Sequence, residues 1–407
     1  MPQVQPSLCN VRRIKMSAGL FAAAWFAPVA LTGCASTSPS NAQPSASSSN
    51  TQRTHQASRI NQSAEPTQSV PVSSTPTANG AALVRLYGEF SPTDGQNLSQ
   101  PEGRGSLSQV SFATEGSCFD PAVDRTGTRI AFASTMHREA SDLYIKAVNG
   151  STVTQLTSDP GDDAMPAFDP SGQRIAFASN RAGKWDIYIT TIDGAPPVQV
   201  TNDADNEIHP TWSPDGTMIA YCKLSSQSGR WEIWVAKVDS PGVRHFLDYG
   251  MFPRWSPDVA SNKILFQRPR QRGSRLHGIW TIDFVNGEAR NPTEIVSAAN
   301  AATINPSWSP DGRRIVFVTV LDPDSDTSAR PDQSDVWVIN VDGTGRLKLT
   351  DSQFGNFQPV WSTDGRIYFV SNRSGTDNIW AASMDRSLEL MRPAGREFVG
   401  ADDRHTP

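Results

Sequence analysis

No Cys-x-x-Cys pair and no cluster of cysteine with histidine occurs in this sequence, whose 407 residues hold only four cysteines and six histidines. A zinc site or a dithiol redox centre needs that spacing, so neither is expected, and no cofactor is implied. Helical periodicity is absent throughout, which excludes bundles and helical solenoids. Basic residues are not in excess: 36 Lys and Arg face 41 Asp and Glu, a net charge of −5. Without a cationic stripe to neutralise phosphates, nucleic acid is not an expected partner. The G-x-S-x-G nucleophile elbow is missing, and with it the signature of a serine hydrolase. The longest apolar run, "AGLFAAAWFAPVA" (Ala18–Ala30), is interrupted by Pro28 and too short to span a bilayer comfortably.

That run has a different use. Arg12, Arg13 and Lys15 precede it and "LTGC", Leu31–Cys34, ends it. A basic start, a short apolar stretch and small residues before a cut form an export signal over residues 1–33. The ending resembles a bacterial lipobox, which implies cleavage before Cys34 and lipidation of that cysteine. Several acyl chains on one residue would hold the chain at a membrane surface. Ala35 in place of Asp implies the outer membrane, facing the periplasm. Translation can begin at Met1 or at Met16. Cys9 leaves with the signal, so Cys118 and Cys222 would face an oxidising compartment. They fall in different repeats and are expected as two unreactive thiols.

Residues 34–82 lack leucine and any aromatic, and consist mainly of Ser, Thr, Pro, Gln, Asn and Ala. Such a segment cannot bury enough apolar surface to offset its conformational entropy. It reads as a tether with a mean reach of about 40 Å, and His55 within it as a solvated residue.

What the chain has in plenty is repetition. "PAFDPSGQRIAF", "PTWSPDGTMIAY", "PSWSPDGRRIVF" and "PVWSTDGRIYFV" are variants of one text. The prolines that open the copies are Pro121, Pro166, Pro210, Pro253, Pro306 and Pro359, spaced by 45, 44, 43, 53 and 53 residues. A period in the forties with alternating apolar residues and turn signals reads as propeller blades. The expected fold is all-β, a six-bladed propeller of four-stranded antiparallel blades over residues 83–391, followed by a tail, 392–407. In "SPDG" proline sets φ at the first turn position and glycine supplies the positive φ that closes a hairpin. Phe168, Trp212, Trp255, Trp308 and Trp361 are placed to pack between blades. Each sheet must be covered by its neighbours, so every blade meets the same packing problem and repeats the same text.

A ring must close or leave an exposed edge. "SLSQVSFATEG", upstream of the first copy, aligns with the outer-strand text "STVTQLTSDPG". Leu107–Phe112 is therefore expected to complete the sixth blade as an N-terminal clasp, with Leu388–Met391 as the alternative. Insertions "RPRQRGSRLHG" and "LDPDSDTSARPDQS" should protrude between the second and third strands of the fourth and fifth blades.

The repeats "WSPDG..IA" from Trp212 and "SNR.G..DIY"-type turns from Ser179 and Ser371 resemble the WD40-like (PD40) blades of TolB-type propellers. The resemblance implies a non-enzymatic envelope module, since the channel face of such propellers binds a peptidoglycan-associated lipoprotein and other envelope proteins. Two features depart from that family: residues 83–106 are too few for its N-terminal α/β domain, and a lipid anchor would replace a soluble form. A monomeric TolB-like lipoprotein is the reading.

The loop before each proline is expected to line one mouth of the channel, where Asp120, Asp162, Asp163, Asp205, Glu207, His209, Asn305 and Gln358 would meet an envelope protein or cell-wall polymer. Glu207 and His209 are an acid–base pair in the alternative reading, a carbohydrate-active lyase or hydrolase; a purely structural surface protein is a third. Asp322–Asp326 opens like a calcium loop but has Thr327 and Gln333 where Gly and Glu are needed, so no metal is expected. Asp142, Asp186, Glu232, Asp335 and Asn378 read as turn caps, and Arg268, Arg270, Arg272 and Arg275 as a basic loop able to meet an anion.

Overall fold

A computed structural model describes residues 106–324 and 330–384. The signal, Cys34, the tether, Leu388–Met391 and the tail lie outside the described residues. Every regular element described is a strand. Blade 1 holds β2 (Cys118–Val123), β3 (Arg129–Ser134), β4 (Asp142–Ala147) and β5 (Val153–Gln155). Blade 2 holds β6 (Asp163–Phe168), β7 (Arg174–Ser179), β8 (Asp186–Thr191) and β9 (Val198–Gln199). Blade 3 holds β10 (Asn206–Trp212), β11 (Met218–Ser225), β12 (Arg230–Lys237) and β13 (Arg244–Tyr249). Blade 4 holds β14 (Met251–Trp255), β15 (Lys263–Pro269), β16 (His277–Val285) and β17 (Glu288–Val296). Blade 5 holds β18 (Ala301–Trp308), β19 (Arg314–Leu321), β20 (Asp335–Asn340) and β21 (Leu347–Lys348). Blade 6 holds β22 (Asn356–Trp361), β23 (Arg366–Ser371) and β24 (Asn378–Ser383), and β1 (Leu107–Gln109) is its outer strand.

All six sheets are four-stranded and antiparallel. Inner strands β2, β6, β10, β14, β18 and β22 touch in sequence, and β22 also meets β2, so the ring is closed. The turns are as the sequence dictates. Gly127, Gly172, Gly216, Gly312 and Gly365 have φ between 66° and 78°, and each donates its N–H to the carbonyl three residues earlier. The tryptophans do pack between blades: Trp212 Nε1 donates to Ala167 O of blade 2 at 3.0 Å, and Trp308 Nε1 to Arg254 O of blade 4 at 2.9 Å. The core is accordingly a series of layers between sheets, as where Phe177 and Ile187 of blade 2 meet Ile208 and Trp212 of blade 3. Each fully buried side chain of that size contributes roughly 1.5–3 kcal/mol.

Four of the five acceptors read as turn caps, Asp142, Asp186, Asp335 and Asn378, do more than cap, while Glu232 accepts from Ser228 and Trp234 within its own hairpin. Asp142 and Asp186, at the starts of β4 and β8, accept from Gln155 and Gln199 on the outer strands at 3.1 and 3.2 Å. One hydroxyl beyond the outer strand completes each clamp: Leu143 N donates to Thr157, Ile187 N to Thr201 and Val336 N to Thr350. In blade 6 that hydroxyl is Ser111, which accepts from Ile379 N at 2.8 Å and donates to Asn378 Oδ1 at 3.0 Å. The N-terminal strand thus carries the fourth-strand chemistry of the other blades. Its ladder pairs Leu107 with Ala382 and Gln109 with Trp380.

Candidate functional site

The inner strands begin before the repeat's proline, not at it. Asp120, Asp163, Glu207, His209, Asn305 and Gln358 are therefore residues of β2, β6, β10, β18 and β22, and not of a loop at a mouth. Only Asp162 and Asp205 precede their strands. The reason is a bulge. Each inner strand shifts register around the proline, as between Phe119 and Ala122 in β2 or between Ile304 and Ser307 in β18. Proline has no N–H to give a ladder, so a bulge on a strand with no inner neighbour is where it fits.

The residue before each proline adopts a left-handed backbone: Asp120, Met165, His209, Phe252, Asn305 and Gln358 have φ between 50° and 57°. Each such residue costs on the order of 1–3 kcal/mol unless its surroundings fix it. They form a belt around the hub in which side chains tie one blade to the next. Asn305 Oδ1 accepts from Gln358 N at 3.2 Å, Gln358 Oε1 from Asp120 N at 2.9 Å, and Asp120 Oδ2 from Met165 N at 3.2 Å. Gln358 Nε2 also donates to Asp120 Oδ1. On the other side His209 packs against Phe252, ring centres 3.8 Å apart and tilted by 40°, and Asn305 N donates to Gln267 Oε1 at 2.8 Å. Burial lifts the Asp120 carboxyl to about 6 against the pull of Met165 N–H and Arg254. Burial, then the charge of Arg254, holds His209 well below its usual value and so neutral.

The remaining acids serve the blades themselves. Asp162 accepts from Ser141 N at 3.0 Å and from Asn180 Nδ2 at 3.0 Å. Asp163 is fully buried and pairs with Arg181 at 2.9 Å. Asp205 accepts from Ser226 N at 3.1 Å and lies 3.5 Å from Lys223. Glu207 is fully buried beside Arg244, 3.4 Å away, and Asp203. Burial, opposed by Thr201 and reinforced by the Asp203 charge, drives its carboxyl up to about 8. No hydrogen bond joins Glu207 to His209, so the structure does not assemble the acid–base pair. The basic loop is similarly committed. Arg268 pairs with Asp248, Arg270 donates to Ala298 O and Arg275 to Pro323 O, leaving Arg272 exposed. Cys118 and Cys222 are both buried and unpaired, and burial raises both thiols, Cys222 to about 12. No group of three His, Cys, Asp or Glu suited to a metal occurs among the described residues.

The space for a ligand lies on the other side of the belt. A cavity of about 320 Å³ occupies the hub from the residue after each belt position to the hairpin turn, with walls from all six blades. Its size falls at the lower end of ordinary ligand pockets. It opens at the end carrying the turns between first and second strands, opposite to the end of the two insertions. Phe168, Trp212, Trp255, Trp308 and Trp361 and the turn prolines line it. Asp124 and Asp169 also reach its wall, but Arg129 and Arg174 engage them at 3.2 and 3.0 Å. Arg125 of blade 1 crosses the mouth and donates to Pro257 O of blade 4 at 3.3 Å. Arg254 of β14 stands at the floor. Neither arginine was singled out by sequence reasoning. The signal was nonetheless present: the residue after the proline reads Ala, Ala, Thr, Arg, Ser, Val around the ring.

Comparison with known proteins detects the same repeat. The family described as TolB beta propeller domain (PD40) matches residues 104–284, 184–320 and 248–392. The Tol-Pal system protein TolB of Alcanivorax borkumensis is 27% identical over 110 residues, 27% of this chain and 23% of that one. The uncharacterized peptidase YuxL of Bacillus subtilis is 25% identical over 120 residues, 29% of this chain and 16% of that one. The chain thus spans less than half the length of the curated relatives it matches. A solved structure, TolB from Acinetobacter baumannii, superposes with a TM-score of 0.50 at 20% identity, covering 61% of this chain and 57% of that one. The fold is shared at that distance, and the family match extends over the whole ring, clasp strand included. By its repeat and by its closed ring of six blades, the chain belongs to the TolB beta-propeller domain family.

Proposed function

We propose that this protein is a non-enzymatic binding module of the bacterial cell envelope, held at the membrane through a lipidated Cys34 and its tether, which receives a segment of a partner protein in the hub. The observation that carries the reading is the cavity itself. All six blades wall it, it is ligand-sized, and the carboxylates on its wall are spent on Arg129 and Arg174 rather than poised in a pair. At the opposite end Asp120, Asp162, Asp163 and Asp205 are likewise engaged by hydrogen bonds or ion pairs. Kinship with a protein named for the Tol-Pal system supports an envelope setting. Occupied acids and a neutral His209 packed against Phe252 favour recognition over acid–base chemistry.

A photo-crosslinking residue at Thr363, on the cavity wall, tests this in intact envelopes against the same probe at Val198 on an exposed outer strand. One protein partner captured from Thr363 and not from Val198 is the expected result. Identical capture from both positions, or turnover of a polysaccharide by the purified chain, would defeat the proposal.

A further inference from the structure

In the column that follows the repeat's proline, five blades place Ala122, Ala167, Thr211, Ser307 and Val360, and blade 4 places Arg254. Inter-blade packing asks for a small residue there and tolerates one large cation. Its guanidinium makes no hydrogen bond or ion pair among the described residues; only its backbone carbonyl is used, by Trp308. The carboxylate whose charge acts on it is Asp120, already held by Met165 N and Gln358. Arginine stays protonated at any physiological pH, so the hub floor holds a permanent cation with free donors. Arg125 adds a second guanidinium at the mouth, tied among the described residues only to a carbonyl. With His209 neutral and Asp124 and Asp169 balanced by Arg129 and Arg174, Arg125 and Arg254 outweigh Asp120 in the hub.

The geometry points to a carboxylate subsite: an acidic peptide segment enters the hub, and its carboxylate is taken by the forked donors of Arg254 while Arg125 closes over the mouth. This rests on the reading of the hub as the docking site. The ligand class follows from the walls. Planar guanidinium donors match a carboxylate in two parallel hydrogen bonds. The indole N–H groups of Trp212 and Trp308 are spent on neighbouring blades, and prolines have none to offer. A sugar polymer or a polyphosphate would leave many polar groups unpaired against such a wall. An extended peptide also carries an N–H and a C=O in every residue, but its apolar side chains can cover the tryptophan and proline wall while one acidic group reaches Arg254.

The test uses three probes on the whole chain: acetyl-Ala-Glu-Ala-amide, acetyl-Ala-Gln-Ala-amide and acetyl-Ala-Gln-Ala with a free carboxyl end. Fluorescence of the tryptophans in the cavity wall reports occupancy. One or both carboxylate peptides should bind about tenfold or more tighter than the neutral one, and the better of the two identifies a side-chain or a terminal carboxylate. Arg254→Met should remove the preference while the melting profile is retained, Arg254→Lys should keep part of it, and Arg125→Gln should weaken it a few-fold. Equal binding of all three peptides, no response up to about 10 mM, or a preference that survives Arg254→Met would overturn the subsite. The crosslink from Thr363 separates this from the docking reading. Equal capture by wild type and Arg254→Met means the subsite is wrong and hub docking stands; no capture by wild type means docking itself is wrong.

Discussion

Replacing Ser111 with alanine is the sharpest test of how the ring is locked. Ser111 Oγ is the acceptor for the buried N–H of Ile379 at 2.8 Å and the donor to Asn378 Oδ1 at 3.0 Å. Asn378 is 1% exposed and Ser111 6%, so water cannot replace the lost group readily. A buried donor left without a partner costs about 1–3 kcal/mol. At an m-value of roughly 2–3 kcal/mol per molar, the urea midpoint should fall by about 0.3–1.5 M. The partner change Asn378→Ala should couple to it by about 0.5–3 kcal/mol in a double-mutant cycle, because the two side chains form one unit. Thr350→Ala in blade 5 removes the equivalent acceptor from Val336 N–H and serves as the internal reference. Both variants should destabilise similarly, yet only Ser111→Ala should speed amide exchange at Val110, which donates to Ile379 O at 2.8 Å. An unfolding free energy unchanged to within about 0.5 kcal/mol, with exchange at Ile379 and Val110 unaltered, would refute the clasp.

Three further outcomes follow from the geometry. Trp308→Phe removes the donor to Arg254 O and should cost about 1–3 kcal/mol in chemical unfolding; a neutral effect would remove that bond from the account of how blades 4 and 5 adhere. Glu207 binds its proton more tightly folded than unfolded, with its carboxyl near 8 against an ordinary 4.5. Its contribution is complete below pH 4.5 and is lost as pH rises toward 8, so Glu207→Gln should gain on the wild type across that window, and parallel stability curves would contradict it. Asp169 goes the other way. Although burial opposes ionisation, hydrogen bonds from Arg174 and Ser171 hold its carboxyl below the usual value. Its contribution is present above about pH 4 and lost as pH falls through the folded value, so Asp169→Asn should flatten the acid limb of an unfolding titration.

The architecture was legible because the repeat spells out local backbone requirements. A proline and a glycine at fixed offsets, an aromatic between them and alternation after them specify a hairpin and two covered faces. The clasp could be read in part, since Gln109 and Ser111 stand where Gln155 and Thr157 stand in blade 1, but its paired strand ends at Gln109 and not at Phe112. The site was less legible, for a physical reason. Asp120, Met165, His209, Phe252, Asn305 and Gln358 share no side-chain chemistry; what they share is the sign of φ, which letters do not record. Taking the proline as the strand's first residue therefore placed the acids in a loop, when the bulge carries them into the hub wall or between strands. Glu207 and His209 look like neighbours in text, two residues apart. In space one faces Asp203 and Arg244 and the other leans on the Phe252 ring at 40°. Arg254 is hidden by the opposite effect: it sits inside a motif so regular that the residues which recur mask the one that does not.

Ser111 and Asn378 are 267 positions apart along the chain, while the hairpins of each blade join residues only a few turns away. Each blade can assemble from nearby partners as it emerges, but the first strand must wait for the last blade to be synthesised. The entropy of bringing such distant ends together grows only with the logarithm of their separation, so the delay lies in the order of events more than in the equilibrium. The seam between the earliest and the latest strand is consequently the last joint to set and the first to part, and a cut at either terminus that reaches it would leave five finished blades with one raw edge.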